Sequence, residues 1–165
     1  MHTKNAHCSY CGAAFDSGQN FPRRCSNCQN ITYINPLPVA VLLLPVDDGL
    51  LMIRRNIEPQ KGKLALPSGY INAGEDWQPA AARELFEETG VEISANAIEL
   101  FNVLSAPDNT LLIFGLANPQ ALSEFADFTL SEETVECVVV KNFQSEEMAF
   151  PLHAKVVEKF FALKR

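Results

Sequence analysis

The chain has 165 residues, of which 47% are hydrophobic and 20% charged. This ordinary globular composition excludes a disordered or fibrous chain and supplies enough apolar material for a real core. The formal net charge of −7, with a pI of about 4.9, repels nucleic-acid phosphate, so binding along DNA or RNA is not expected.

The charge is uneven. Residues 1–35 carry Lys4, Arg23 and Arg24 against Asp16, a net +2, which leaves 10 basic and 19 acidic residues, a net −9, for the rest. A phosphate substrate of so acidic a body needs cations to bridge the repulsion. Residues 1–9 are polar and show no signal peptide, and the longest apolar run, residues 39–46, is interrupted by Pro45 and too short for a bilayer. The expectation is a soluble cytoplasmic protein with no membrane partner.

Residues 1–34 are polar and rich in Cys, Asn and Gly, with too little apolar content to fold unaided. They hold two Cys-x-x-Cys knuckles, Cys8-Ser9-Tyr10-Cys11 and Cys25-Ser26-Asn27-Cys28, separated by 13 residues. That spacing reads as a structural Zn²⁺ site, closed by four thiolates and therefore not catalytic, whose binding would supply folding free energy. A pair of disulfides is the alternative. His7 reads as a bystander, and Cys137, in a strand-like run, as a small core residue.

Residues 34–38 (Ile-Asn-Pro-Leu-Pro) read as a stiff extended connection, dividing a small ribbon, 1–34, from a larger domain, 35–165. In that domain residues 39–44 read as a buried strand, 46–49 as a turn and 50–54 as the return strand of a hairpin. Residues 56–63 read as a polar loop, 64–67 as a short apolar piece and 68–74 as a loop with two glycines. Residues 76–89 predict a helix with Asp76 as N-cap, Pro79 in the first turn and Gly90 as C-cap. Strands follow at 97–104, 110–116 and 134–141, and a closing amphipathic helix at 152–163. The pattern predicts an α/β fold, an α/β/α sandwich around a mixed sheet.

The central helix carries Arg83-Glu84-Leu85-Phe86-Glu87-Glu88. At about 100° per residue the three glutamates share an arc of about 100°, with Leu85, Ala82 and Phe86 roughly opposite. The helix is therefore expected to anchor one side on the sheet and present three acids on the other. Clustered oxygen ligands without His or Cys suit Mg²⁺ or Mn²⁺; a solvated acidic face is the equal alternative from the helix alone.

The surroundings of the helix extend this pattern. Gly69, Glu75, Arg83-Glu84, Leu85, Glu87-Glu88, Gly90 and Val91 stand at the spacing of the Nudix box, so the chain resembles the Nudix hydrolase family. The resemblance implies Mg²⁺- or Mn²⁺-dependent hydrolysis of a diphosphate bond. Glu84, Glu87 and Glu88 match the metal ligands, with the Ser68 carbonyl a further candidate. Glu75 and Arg83 match a pair that braces loop against helix, and Gly69 a close backbone turn. The chain departs from the family at Pro67-Ser68-Gly69, where many members have Pro-Gly-Gly.

The general base varies within the family. Candidates here are Glu84 and, outside the box, Glu132, Glu133 and Glu136, with Glu133 the choice carried forward. Arg54 and Arg55 are candidates for substrate phosphate, and Tyr70, Trp77, Phe143 and Phe150 for stacking on a base. A ribbon before a Nudix domain resembles the branch holding NADH pyrophosphatases and hydrolases of FAD or ADP-ribose. The NADH-specific signature is missing: residues 100–107 read Leu-Phe-Asn-Val-Leu-Ser-Ala-Pro, and the extra N-terminal domain of those enzymes is not expected. The favoured substrate is a small nucleotide, a nucleoside diphosphate linked to another moiety X. The alternatives are a nucleotide-sensing module with little turnover, and a ribbon that serves as a homodimer interface.

Overall fold

In the computed structural model, residues 4–16, 18–125 and 128–163 are described. The chain forms two compact units, residues 1–36 and 37–165. In the first, β1 (Arg23–Arg24) and β2 (Ile31–Thr32) form a two-stranded antiparallel ribbon. No helix among the described residues is long and apolar enough to cross a membrane.

The second unit begins with β3 (Leu37–Leu43), β4 (Pro45–Val46), β5 (Gly49–Arg55), β6 (Leu64–Ala65) and β7 (Ser68–Tyr70). Helix α1 (Trp77–Thr89) follows, then β8 (Ile98–Ser105), β9 (Thr110–Ala117), β10 (Thr134–Val140) and helix α2 (Pro151–Leu163). One sheet runs β7-β3-β9-β8, and another β10-β5-β4 with β6 also on β5. The β3–β9 pair is parallel and the other strand pairs antiparallel, which makes the sheet mixed as expected.

Side-chain alternation decides the layering. Val41 and Leu43 join a core cluster with Val156, Val157 and Phe160 of α2. Ala40, Leu42 and Leu44 join another with Ala80, Ala81 and Leu85 of α1. On β5, Leu50 and Met52 go with α2 and Leu51 with α1. The two helices therefore cover opposite faces. Each fully buried Leu or Met here contributes about 1.5–3 kcal/mol of burial free energy.

Two local expectations are corrected. Residues 68–70 are not loop but strand, because Pro67 O accepts from Leu42 N (2.9 Å) and Ile71 N donates to Pro38 O (3.1 Å), which extends the sheet past the glycine. Asp76 occupies the N-cap in extended conformation, but its side chain makes no capping hydrogen bond; its carbonyl accepts from Ala80 N (3.1 Å). Gly90 is left-handed (φ 76°) and donates to Phe86 O (2.8 Å), which ends α1 as expected.

Candidate functional site

The carboxylates of α1 do not stand opposite its packing face. Ala80, Ala81, Leu85 and Thr89 are buried, and so is Glu88, at 8% exposure. Phe86, expected on the packing face, is 49% exposed. At about 100° per residue Glu84 and Glu88 lie between Ala80 and Ala81. The small alanines let α1 approach the sheet so closely that Glu84 and Glu88 are carried under it, and Glu87 alone of the three is exposed.

These groups meet the edge strand β7. Ser68 N donates to Glu88 Oε2 (3.0 Å). A Cβ on Gly69 would collide with the Glu84 carboxylate, so glycine here is a requirement of space. Arg83 spreads its fork over the rest. Nε and Nη2 donate to Glu75 (2.8 and 2.9 Å), and Nη1 to Glu84 (2.6 Å) and Glu87 (3.3 Å). Nη2 also reaches Tyr70 O (3.1 Å). Glu75 in turn accepts from Asn72 N (2.9 Å). One guanidinium thus ties loop, strand and helix together.

Protonation follows from these contacts. The Arg83 hydrogen bonds, then the Asn72 N–H, hold the Glu75 carboxyl down to about 2. Burial pushes Glu88 up to about 8; the Ser68 N–H and Arg55 oppose this, while the Glu84 and Glu133 charges add to it. Burial also raises Glu84, and Arg83 offsets part of the rise. Buried acids crowded by like charge are groups whose ionised form a cation stabilises, so this donor set fits a hard divalent ion.

Strand alternation supplies a further donor. Pro67 O and Ile71 N face β3, so Ser68, between them in the pleat, turns both its N–H and its C=O to the outer edge, where Glu88 lies. The oxygens of Glu84, Glu87 and Glu88 are nevertheless not drawn into one tight knot. Among the described residues, the metal-ligating groups whose donor atoms all lie within 4.8 Å of one another are the four N-terminal cysteines.

The two candidate arginines separate. Arg54 is engaged by Glu136 (2.7 Å) and Gly62 O (3.0 Å). Arg55 donates to Pro59 O (3.1 Å), lies over the Phe150 ring (5.0 Å) and faces a cleft. That cleft, of about 680 Å³, runs from Ser68–Tyr70 to Leu112, Phe150 and His153. Of the four candidate aromatics, Tyr70 and Phe150 line it. Trp77 packs in the α1 core and Phe143 stacks on Phe161 of α2.

The acids outside the box also separate. Glu136 is the partner of Arg54. Glu133 is exposed, its carbonyl held by Asn56 N (2.7 Å), and its charge is felt at Glu88. Asn56 Nδ2 also donates to Glu132 O (2.9 Å), so Asn56 pins this acidic turn beside the site. Asn56 and His153 were not singled out by the sequence. Nothing in the pattern pairs position 56 with 133, or marks a histidine at the start of an amphipathic helix.

In the first unit the knuckles have the same backbone. Cys8 N donates to Ala13 O (2.8 Å) and Cys25 N to Asn30 O (2.9 Å); Gly12 N and Gln29 N return to Cys8 O and Cys25 O (3.0 and 2.9 Å). Cys8 and Cys28 Sγ stand 3.7 Å apart, Cys11 and Cys25 Sγ 3.6 Å, and all four thiols are free. Backbone N–H groups of Tyr10 and Cys11 pull the Cys8 thiol down to about 6. The Ala13 N–H and then Asn27 lower Cys11. Four converging sulfurs, with Cys8 and Cys11 favoured as thiolates by backbone N–H groups, fit a soft or borderline metal ion.

With this geometry in hand, the profile of the NUDIX domain matches residues 35–160. The chain belongs to the NUDIX domain family. Its relatives include the NAD-capped RNA hydrolase NudC of Edwardsiella ictaluri, 33% identical over 87 residues, covering 52% of this chain and 34% of that protein. Another is the ADP-ribose pyrophosphatase of Methanocaldococcus jannaschii, 36% identical over 76 residues, covering 46% of this chain and 44% of that protein. The chain thus spans between a third and a half of the length of these curated relatives.

Among solved structures, a NUDIX hydrolase from Nitrosomonas europaea superposes with a TM-score of 0.72 at 24% identity, covering 94% of this chain and 90% of that one. The bifunctional NMN adenylyltransferase/ADP ribose pyrophosphatase of Francisella tularensis, complexed with AMP and a manganese ion, gives a TM-score of 0.66 at 21% identity. It covers 78% of this chain and 42% of that one. At these identities the likeness is one of fold, and it places the NUDIX fold on the α/β/α layers described above.

Proposed function

We propose that this chain hydrolyses the diphosphate bond of a nucleoside diphosphate linked to X, releasing a nucleoside monophosphate, with Mg²⁺ or Mn²⁺ held by Glu84, Glu87, Glu88 and the Ser68 carbonyl. The observation that carries the reading is that one short strand, Ser68–Tyr70, meets the buried carboxylates on its outer edge and also lines the cleft. A divalent ion bound there supplies charge neutralisation and an acidified water. FAD, ADP-ribose and related dinucleotides are the favoured class, in line with relatives that are an NAD-capped RNA hydrolase and an ADP-ribose pyrophosphatase.

The protein's own groups have distinct tasks. Arg55, between cleft and carboxylates, attracts the diphosphate. Glu133, poised on the turn that Asn56 pins, takes a proton from the attacking water; Glu84 is the other candidate base. Glu75 and Arg83 keep loop and helix in register. The four cysteines hold a structural Zn²⁺ in a ribbon of residues 1–34, and residues 35–165 form the hydrolase domain.

The test is a mass-spectrometric screen of nucleoside diphosphate derivatives with purified protein in Mg²⁺ or Mn²⁺. Release of AMP from at least one such compound is expected, and Glu87→Gln is expected to abolish most of it. Equal turnover by Glu87→Gln and wild type on the best substrate sinks the assignment.

A further inference from the structure

Among the described residues, His153 is the strongly buried ionisable group lining the cleft that the scheme above leaves unused. It sits in the first turn of α2 at 3% exposure. Its ring is held edge-on between Phe114 (centroids 5.7 Å, 79°) and Phe150 (5.1 Å, 64°). The segment before α2 is fixed by Ala149 N donating to Leu64 O (2.7 Å), so the ring has a defined place over residues 64–68.

The tautomer follows from one hydrogen bond. Leu66 N donates to Nδ1 (3.3 Å), so Nδ1 is the acceptor and carries no proton. Burial, followed by the nearby Arg55 charge, keeps the ring neutral, its pKa down to about 3. A neutral imidazole that accepts at Nδ1 donates at Nε2. Among the described residues Nδ1 is the atom through which this ring hydrogen-bonds. Among the described residues the sealed side-chain polar atom without a partner is Thr134 Oγ1, so Nε2 is not a sealed orphan, and the ring that carries it lines the cleft.

A histidine that serves only the core uses both nitrogens on the protein or is replaced by an apolar ring of the same volume. Here one nitrogen is locked by the backbone and the other is free to face a ligand. The cleft walls around it are Val39, Tyr70, Leu112 and Phe150. These apolar walls suit a flat aromatic ring, while Arg55, Ser68, Asp108 and Thr110 of the same cleft offer polar partners to the rest of a nucleotide.

We propose that His153 reads the aromatic arm of the substrate: Nε2–H donates to an acceptor on the edge of a planar heteroaromatic ring lodged in the cleft that Tyr70 and Phe150 line. The assignment rests on the cleft being the nucleotide site, as argued above. Adenine, nicotinamide and flavin rings all present such an acceptor, and the test separates them. A fixed donor in an apolar slot discriminates strongly, because a ring lacking the acceptor leaves the N–H unpaired.

The chain has three histidines, His2, His7 and His153, so ¹⁵N-histidine labelling gives a simple multiple-bond ¹H–¹⁵N spectrum. In wild-type protein one ring shows the neutral Nε2–H pattern, and AMP, NMN or FMN, whichever carries the fitting ring, shifts that Nε2 signal. Ribose 5-phosphate, which has no ring, leaves it in place. In parallel calorimetric titrations, His153→Phe weakens the same nucleotide about 10- to 100-fold, the loss of one buried hydrogen bond, while His153→Gln, with an amide N–H near the Nε2 position, recovers part of the affinity. The spectral arm needs no substitution, so an unstable variant does not blunt the test. An Nε2 signal unmoved by all three nucleotides, or wild-type affinity in a folded His153→Phe, overturns the proposal. If no diphosphate is hydrolysed but AMP still moves Nε2, the hydrolase reading falls and this one stands; turnover with an unmoved Nε2 means the reverse.

Discussion

Glu88 combines the strongest burial with the most crowded charge of the three helix glutamates. Glu88→Gln keeps the shape and the Ser68 contact but removes the negative charge, so turnover is expected to fall by about 10²–10⁴-fold while the far-ultraviolet spectrum is unchanged. Gly69→Ala acts through space: the added methyl strikes the Glu84 carboxylate, so activity should drop with a loss of about 1–3 kcal/mol in urea unfolding. His153 gives a pH signature. Its folded pKa lies below the unfolded value, so the unfolded chain binds the proton more readily. Its stabilising contribution is full above about pH 6.5 and declines as pH falls from there toward 3. Urea midpoints measured from about pH 7.5 down to 5 should fall less steeply in His153→Phe than in wild type.

At the scale of elements, the knuckles are the clearest case of structure read from spacing. Two Cys-x-x-Cys pairs placed four sulfurs together without any knowledge of packing, because each turn is closed by its own backbone. Chelation with EDTA, or Cys25→Ser, should collapse the dispersed amide signals of the ribbon, and Zn²⁺ should restore them only in the wild type. The five long strands and both helices were equally legible, since alternation and the 3.6-residue period are local. The orientation of α1 was not. Its acids and its packing side overlap because Ala80 and Ala81 are small, and a residue's smallness matters only against a partner that the local pattern does not name. Strand β7 was missed for a related reason: a Ser-Gly-Tyr stretch has no strand signature, and its pairing with β3 is a contact across some thirty positions. The separation of Arg54 from Arg55 depends on Glu136 and Phe150, both distant in sequence.

The whole molecule carries −7, and two of its acids, Glu84 and Glu88, are crowded together on the inner side of α1. Mg²⁺ should therefore raise the thermal midpoint by more than NaCl of equal ionic strength does. At a concentration a hundred-fold above its Kd the gain is about 2.7 kcal/mol, and a calorimetric scan of Glu88→Gln should lose most of it. The strand β7 has one more consequence. It lies at the end of its sheet, with β3 on one side and, among the described residues, no strand on the other. An open border of that kind is a template for another chain's backbone. Here Glu88 takes the Ser68 N–H and Arg83 caps the Tyr70 carbonyl, so charged side chains from a helix fill the seats of a missing neighbour. The groups proposed above to serve the site also occupy the backbone positions that a pairing strand would use, and variants that empty these positions are expected to aggregate at temperatures where their fold is still intact.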